Sequence, residues 1–170
     1  MASCCFFATS IGLCGIAWTG RGICGVQLPE SSDAATRQRL MRRFADTVEA
    51  EPPADIRAVI GDVVALLSGE HRDLAGAMLD EDAVPEFNRR VYEVARTIPP
   101  GERLTYGEVA DRLGERGAAR DVGRALAPNP FALIVPCHPV VAAGGGPRGF
   151  SAPGGIPQNV GSEHLREALP

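Results

Sequence analysis

The chain has 170 residues, of which 45% are hydrophobic, and this content supports a packed core and excludes a disordered chain. Its formal net charge is −4, from 17 basic and 21 acidic residues, which excludes a general polyanion binder, so that any contact with nucleic acid must be local. No apolar stretch approaches the roughly 18 residues of a membrane span, and no basic leader is present. Five cysteines without disulfide-scaffold spacing add to the prediction of a cytoplasmic protein with no membrane partner.

Short β-type runs separated by glycine-containing turns open the chain. The runs CCFFATS, CGIAWT and GICGVQL, within residues 4–28, predict an antiparallel meander. From Ser31 or Ser32, either of which can serve as an N-cap, the segment ATRQRLMRRFADTV has helical spacing, and IRAVIGDVVALL repeats that pattern after the EPPAD break. These elements predict a small α/β domain over residues 1–82.

The second half, residues 83–170, is predicted to be mostly helical. Its helical segments are PEFNRRVYEVARTI, YGEVADRLG and AARDVGRALA, separated by the breaks PPGERLT and GERG. Two short helices joined by a tight glycine-bearing turn are typical of a helix-turn-helix, whose second helix reads DNA. The whole chain is therefore predicted to be α+β, with a second half that resembles a helix-turn-helix.

Arginines recur along the second of these helices. Arg116, Arg120 and Arg124 are spaced by four, which predicts a single positive stripe on one helix face. Periodicity alone favours an ordinary solvated charged face. However, nine arginines stand against seven acidic residues between Val84 and Phe150, and eight against fourteen elsewhere. This asymmetry favours the second half as the side that faces phosphates.

A cysteine and a histidine stand side by side in IVPCHPVV, residues 134–141, an apolar run of strand character. An unperturbed thiol has a pKa near ~8.5, so only a few per cent is thiolate at neutral pH unless a base or a positive charge lies close by. Neighbouring residues of a strand point to opposite faces, so Cys137 and His138 can cooperate only if the backbone turns, as Pro136 and Pro139 favour. Taken alone, the pair favours an unreactive buried thiol.

The wider pattern reverses that preference. The succession TYGEVA, AARDVG, NPFALIVPCH and GFSAPGG, within residues 84–155, resembles the C-terminal domain of O6-alkylguanine-DNA alkyltransferases. The tyrosine, arginine finger, asparagine, PCH cysteine and aromatic residue of that family fall, without a gap, on Tyr106, Arg120, Asn129, Cys137 and Phe150.

The resemblance implies a fold and a function. The fold is a ribonuclease-H-like α/β domain followed by a mostly helical winged-helix or helix-turn-helix domain that carries the reactive cysteine. The function is DNA repair, in which an alkyl group passes irreversibly from O6-alkylguanine in double-stranded DNA to Cys137. The protein would act as a monomer and only once, because a thioether has no easy route of hydrolysis.

The resemblance also implies which groups meet the DNA. Arg120 would enter the stack through the minor groove and replace the flipped guanine, while Tyr106 would crowd the 3′ phosphate. Phe150 would pack on the flipped base. The full set of implied DNA-binding and substrate-binding positions is Tyr106, Arg116, Arg120, Arg124, Val140, Phe150 and Ser151.

Four residues are implied in the chemistry itself. Cys137 would attack the alkyl carbon while His138 and a water draw off the thiol proton. Asn129 would tie the recognition helix to the cysteine segment, although capping a turn is its ordinary role. Glu167 would orient His138, but it lies one residue beyond the family's spacing, and Glu163 is the alternative.

The chain departs from the family at two places. Pro139 replaces the arginine of the family's PCHRV motif, which removes a charge and a backbone N–H. The tail IPQNVGSEHLREALP lacks the usual leucine pair and has Asn159 where the family has lysine. These departures keep open a second hypothesis, a non-reactive paralogue that binds damaged DNA, whereas the retained Cys137 argues for transfer. A Cys-His hydrolase is a third possibility, but the sequence offers no oxyanion arrangement.

No cofactor is predicted. Cys4, Cys5 and Cys24, with His71 as a distant fourth ligand, raise the alternative of a structural zinc, which some members of the family hold near the N-terminus. No CxxC is present, however, and ordinary reduced cysteines are the favoured interpretation.

Overall fold

The computed structural model describes residues 1–143. Within this range the chain forms two compact units, one of Met1–Asp80 with Pro130–Ala132 and the other of Glu81–Asn129 with residues 133–143. The chain thus rejoins the first unit briefly, just before the cysteine segment. No helix of the described range is long and apolar enough to cross a membrane. The domain limits 1–82 and 83–170 stay a prediction, because the second extends beyond residue 143.

The first unit is a four-stranded sheet with two helices. The strand order is β3-β2-β1-β4, with β1, β2 and β3 antiparallel and β4 parallel to β1. The elements are β1 (Ser3–Thr9), β2 (Gly12–Thr19), β3 (Gly22–Gln27), α1 (Asp33–Arg43), β4 (Val48–Glu49) and α2 (Ala54–Leu67). The predicted meander and both predicted helices are therefore confirmed.

Helix α1 is shorter than its sequence pattern predicts. It begins after Ser32, whose side chain accepts a hydrogen bond from the Ala35 N–H at 3.1 Å, so Ser32 and not Ser31 is the N-cap. It ends at Arg43, because Phe44 leaves helical geometry at φ −133° and ψ 86°. The predicted continuation through ADTV is wrong, since Val48–Glu49 joins the sheet beside β1.

Two glycines in the strands make room for the core beneath α1. The core cluster consists of the buried residues Cys4, Ala17 and Leu40, with Phe6, Cys24 and Phe44 packed against it. A Cβ at Gly25 would lie 2.6 Å from the Phe44 ring, and one at Gly15 would lie 2.8 Å from the Leu40 side chain. Both contacts are shorter than real Cβ contacts, so a larger residue at either position would force the Leu40 or Phe44 side chain to move.

Arg43 connects the segment Pro130–Ala132 to β3 through hydrogen bonds. Its guanidinium donates to the Val26 carbonyl at 2.9 Å, to Gln27 Oε1 at 3.1 Å and to the Pro130 carbonyl at 3.0 Å. The Val26 N–H also donates to the Pro130 carbonyl, at 2.8 Å, and Phe131 forms a parallel bridge with Val26. Burial, together with the nearby Arg39, lowers the pKa of Arg43. Neutral oxygen atoms therefore stabilise the Arg43 charge, and each of them would lose a hydrogen-bond donor if Arg43 were removed.

The second unit packs three helices beside a two-stranded parallel sheet. The elements are α3 (Glu86–Thr97), β5 (Leu104–Thr105), α4 (Tyr106–Arg112), α5 (Ala119–Leu126) and β6 (Val140–Val141), with Leu104 opposite Val140 and Thr105 opposite Val141. Its buried helical residues are Val91, Tyr92, Ala95, Val109, Ala110, Val122, Ala125 and Leu126. The three predicted helices are confirmed, and together with the first unit they make the chain α+β.

Local sequence fixes where α4 begins and how it connects to α5. Thr105 and Glu108 form a capping box: the Thr105 side chain accepts from the Glu108 N–H, and the Glu108 side chain accepts from the Thr105 N–H, both at 3.1 Å. After α4 the chain turns through residues 113–118. Gly114 and Gly117 adopt φ of 73° and 91° there, which L side chains rarely adopt.

Most of IVPCHPVV is not a strand. Residues 132–135 form turns and a bend, Leu133 has φ 72°, and only Val140–Val141 joins a ladder. Pro136 and Pro139 cannot donate to a ladder, which explains why an apolar, β-branched run leaves regular strand geometry. The strand character assigned to this run is therefore wrong except at its end.

The half-buried Arg43 guanidinium yields a stability prediction. We expect Arg43→Ala to lower the free energy of unfolding by about 2–3 kcal/mol, because the carbonyls of Val26 and Pro130 and the Gln27 side chain lose a charged donor. Urea unfolding monitored by circular dichroism measures this loss. The matched control is Arg42→Ala on the exposed side of the same helix turn, with a change within about 0.5 kcal/mol. Equal losses in the two variants would contradict the role of Arg43.

Candidate functional site

The Cys137 thiol is partly buried and is held by an amide. Asn129 Nδ2 donates to Cys137 Sγ at 3.1 Å and to the Val135 carbonyl at 2.8 Å. The carbonyl oxygens of Leu126 and Val135 lie 3.9 and 4.0 Å from the sulfur. Among residues 1–143, Sγ thus has a donor in Asn129 Nδ2 and carbonyl oxygens nearby that can accept from the thiol.

Two opposing effects act on the pKa of Cys137. Burial raises it, because the thiolate loses solvation, and the hydrogen bond from Asn129 lowers it, because the amide N–H stabilises the thiolate. The pKa stays above the ordinary value, so burial outweighs the hydrogen bond. The resting group is a protonated thiol at neutral pH, and reaction as a thiolate requires that a base take the proton.

The backbone turns at the Cys-His pair. The Val140 N–H donates to the Cys137 carbonyl at 3.1 Å, which closes a turn over residues 137–140. This is the departure from strand geometry that cooperation between Cys137 and His138 requires. His138 is half-buried within the turn.

The turn accommodates proline at position 139. The Pro139 carbonyl accepts from the Leu104 N–H at 2.8 Å, and the hydrogen bond that closes the turn is donated by Val140. Neither bond uses the backbone N–H that proline lacks. The replacement of the family's arginine therefore removes a charge but no backbone hydrogen bond of this turn.

Asn129 lies just beyond α5, in the turn that leads towards the cysteine segment. Its N–H donates to the Leu126 carbonyl at 3.1 Å, which ties it to the last residue of α5. Its side chain donates to Cys137 Sγ and to the Val135 carbonyl. One residue thus connects the end of α5 with the thiol. The sequence placed Asn129 near Cys137 through resemblance alone, and the hydrogen bonds give that proximity a physical basis.

Tyr106 and Arg120 lie on the consecutive helices α4 and α5. Tyr106 is the first residue of α4, and its ring covers Gly123 of α5, where an added Cβ would lie 3.8 Å from the ring. Arg120 is exposed near the start of α5, and it forms no ion pair with any residue of the range 1–143. Its guanidinium is therefore available to another molecule.

The predicted single stripe of three arginines is wrong. Helix α5 begins at Ala119, so Arg116 lies in the preceding turn, which Gly117 bends at φ 91°. Arg124 is on the helix and forms an exposed ion pair with Asp121 at 3.5 Å. Residues spaced by four share one face only where the chain is helical. Because Gly117 separates Arg116 from the helix, Arg116 does not continue the face of Arg120 and Arg124.

Several predicted positions lie outside the described residues. These are Phe150, Ser151, Asn159, Glu163 and Glu167. Val140 is inside the range, buried in β6, where it pairs with Leu104.

Sequence reasoning missed Tyr92, a buried residue whose pKa is affected by the charge of Cys137. Tyr92 is buried on α3, and its hydroxyl donates to the Ala125 carbonyl at 2.7 Å. Burial, and then the charge of the Cys137 thiolate, raise the pKa of Tyr92 to about 12. The sequence carried one signal of this role. Tyr92 lies beside the apolar positions Val91 and Ala95 of α3, and a tyrosine buried there needs a hydrogen-bond partner for its hydroxyl.

The cysteines weighed as zinc ligands do not converge. Cys4 is fully buried in the core cluster, and Cys24 packs against that cluster. Over residues 1–143, no group of three or more His, Cys, Asp or Glu side chains is arranged to hold a metal ion. Cys4, Cys5, Cys24 and His71 therefore do not fit a zinc site.

Comparisons with known proteins identify the family of the chain. The family model for the DNA-binding domain of 6-O-methylguanine DNA methyltransferase matches residues 86–166. A methylated-DNA--protein-cysteine methyltransferase of Methanothermobacter thermautotrophicus is 32% identical over 142 residues, 84% of this chain and 72% of that protein. Its counterpart in Mycolicibacterium paratuberculosis is 51% identical over 65 residues, 38% of this chain and 39% of that protein.

The folded chain is similar to solved structures as well. The crystal structure of Mycobacterium tuberculosis OGT in complex with DNA superposes with a TM-score of 0.72 at 28% identity, covering 98% of this chain and 95% of that one. The sequence match to the Methanothermobacter protein and this likeness of fold both extend over most of the chain. The chain therefore belongs to the methylated-DNA--protein-cysteine methyltransferase family.

Proposed function

We propose that this protein repairs alkylated DNA by transferring the alkyl group of O6-alkylguanine to Cys137, once per molecule. The observation that carries the proposal is the hydrogen bond from Asn129 Nδ2 to Cys137 Sγ at 3.1 Å, in a turn that also contains His138. An amide donor aimed at a partly buried sulfur stabilises the thiolate that a nucleophile requires. The names of the relatives describe the same reaction.

The transfer is a direct displacement. The sulfur forms a bond to the alkyl carbon as the bond from that carbon to guanine O6 breaks, and guanine leaves with the electron pair. His138, through a water, takes the thiol proton, and the departing guanine gains one in exchange. The product thioether is not hydrolysed, so the thiol is consumed. Glu167, or Glu163 as the alternative, orients His138 in this proposal.

Access to O6 requires the nucleotide to leave the stack. Helices α4 and α5 act as a helix-turn-helix in a winged domain, with Arg120 filling the space of the flipped base and Tyr106 crowding the 3′ phosphate. The exposed position of Arg120, without an ion pair within residues 1–143, supports this role. The backbone around Val140, with Ser151 and Phe150, receives the base.

DNA is the proposed macromolecular partner, bound by a monomer. The DNA complex of the Mycobacterium tuberculosis protein supports this partner. Arg116 and Arg124 supply phosphate contacts beside Arg120, from the turn and from the helix respectively. The first unit is ribonuclease-H-like in this proposal, supported by its β3-β2-β1-β4 order with β4 parallel to β1.

Alkyl transfer is tested by weighing the intact protein. After incubation with a duplex that contains O6-methylguanine, we expect a single gain of about 14 Da, the mass of a methyl group replacing hydrogen. Cys137→Ser should show no gain. Tight binding of the damaged duplex with unchanged mass would favour a non-reactive damage-binding protein instead.

Asn129 yields a prediction on pH dependence. Its hydrogen bond lowers the pKa of Cys137, so Asn129→Ala should raise that pKa and slow thiol alkylation at neutral pH about tenfold. The rate should recover as the pH rises through the new pKa, because the thiolate then forms without the amide. The pH profile of Cys137 alkylation by iodoacetamide, followed by peptide mass spectrometry, measures this. An unshifted midpoint would refute the contribution of the amide.

Arg120 yields a prediction on substrate form. Arg120→Ala should retain reaction with free O6-alkylguanine base but lose most repair of duplex DNA, because only the duplex needs a side chain to replace the flipped base. Arg42→Ala on α1 is the control of matched charge. Arg116→Ala should weaken DNA binding in a salt-dependent manner without this substrate split. Equal loss of both reactions in Arg120→Ala would count against the finger role.

A further inference from the structure

We propose that Tyr92 is a positioning residue for the reactive cysteine, acting through the end of helix α5. This inference rests on the proposed function of Cys137 and adds a residue on α3 to its support. Tyr92 is 1% exposed, and its hydroxyl donates to the Ala125 carbonyl at 2.7 Å. The bond joins two helices at the helix end from which Asn129 follows.

Three carbonyls in the last turn of α5 accept hydrogen bonds from outside the helix or from its cap. The last carbonyls of a helix have no partner within the helix and need outside donors. The Leu126 carbonyl accepts from the Asn129 N–H at 3.1 Å, and the Gly123 carbonyl accepts from the Ala127 N–H at 3.1 Å. The Ala125 carbonyl accepts from Tyr92, so α3 supplies a donor that fixes this end.

This helix end sets the surroundings of the sulfur. The Leu126 carbonyl oxygen lies 3.9 Å from Cys137 Sγ, and the Asn129 amide lies 3.1 Å from it. Both groups follow Ala125 within four residues, so movement at Ala125 carries over to both. A shift of a few tenths of an ångström lengthens the hydrogen bond to the sulfur and weakens it.

Electrostatics act in the same direction. The C-terminal end of a helix carries a partial negative charge, which disfavours a thiolate beside it. A hydroxyl that donates to one of these carbonyls offsets part of that charge. Burial and the charges of Cys137 and Glu81 raise the pKa of Tyr92 to about 12, against a hydrogen bond from Asn88 that lowers it, so the phenol stays protonated and can donate.

A phenylalanine would fill the same space without this hydroxyl. The neighbouring core positions of α3, Val91 and Ala95, are apolar, and packing alone requires no polar group among them. The Asn88 side chain, one turn earlier on α3, hydrogen-bonds the phenol. Two hydrogen bonds, from Asn88 to Tyr92 and from Tyr92 to the Ala125 carbonyl, thus run in series to the end of α5, and each strengthens the other by polarisation.

The test is the pH profile of Cys137 alkylation by iodoacetamide in Tyr92→Phe. We expect alkylation about fivefold slower at neutral pH and a midpoint higher by about 0.7 pH unit, the effect of weakening one hydrogen bond to the thiolate. The matched control is Thr47→Val, which removes a buried hydroxyl of the first unit that has no hydrogen-bond partner within residues 1–143. This control should leave the midpoint unchanged.

Asn88→Ala removes the half-buried side chain that hydrogen-bonds the Tyr92 hydroxyl. It should shift the midpoint in the same direction by about half as much, because it removes a polarising donor and leaves the hydroxyl in place. Midpoints equal to wild type in both variants would overturn the inference, even if the melting temperature of Tyr92→Phe falls, since a purely structural role affects stability alone. Iodoacetamide needs no DNA, so the outcome is independent of whether the wild-type protein accepts an alkyl group from O6-methylguanine.

Discussion

The surroundings of the Cys137 thiol depend on one side chain, the amide of Asn129. Its Nδ2 group donates to both the Cys137 sulfur and the Val135 carbonyl, and its own N–H donates to the Leu126 carbonyl at the end of α5. A helix end, a non-strand segment and a thiol are thereby held together by a single residue. Without that amide, a thiolate at Cys137 would lie near the carbonyl oxygens of Leu126 and Val135 and would lose its hydrogen-bond donor.

In the proposed function, burial of Cys137 suits a protein that reacts only once. A thiol with a raised pKa is a poor nucleophile in the resting state, which limits its loss to adventitious oxidation or alkylation. In the same proposal, the thiolate forms when the substrate is present, because a base takes the proton and the Asn129 amide stabilises the anion. The hydrogen bond and the burial therefore have opposite effects on reactivity, and their balance sets both protection and rate.

The path of the chain between Asn129 and Cys137 is constrained on both sides. Pro130–Ala132 belongs to the first unit, where Arg43 and Val26 bind the Pro130 carbonyl. Leu133, the next residue, has φ 72°, a conformation that costs a non-glycine residue on the order of 1 kcal/mol and persists only where the surroundings impose it. The short, irregular connection explains why an apolar run there forms turns and only a brief strand.

The sequence by itself determined that these helices and the meander exist, and it indicated the family, because helical period, glycine turns and the spacing from Tyr106 to Cys137 are all properties of the chain in order. It could not determine the strands Val48–Glu49 and Leu104–Thr105, which are too short to show a period, or the end of the arginine stripe at Gly117. Only the tertiary structure decided that Asn129 reaches the sulfur and that Tyr92 binds the Ala125 carbonyl. Those contacts join residues distant in sequence or on separate elements, and hydrogen bonds across such gaps leave no local pattern in the residues that form them.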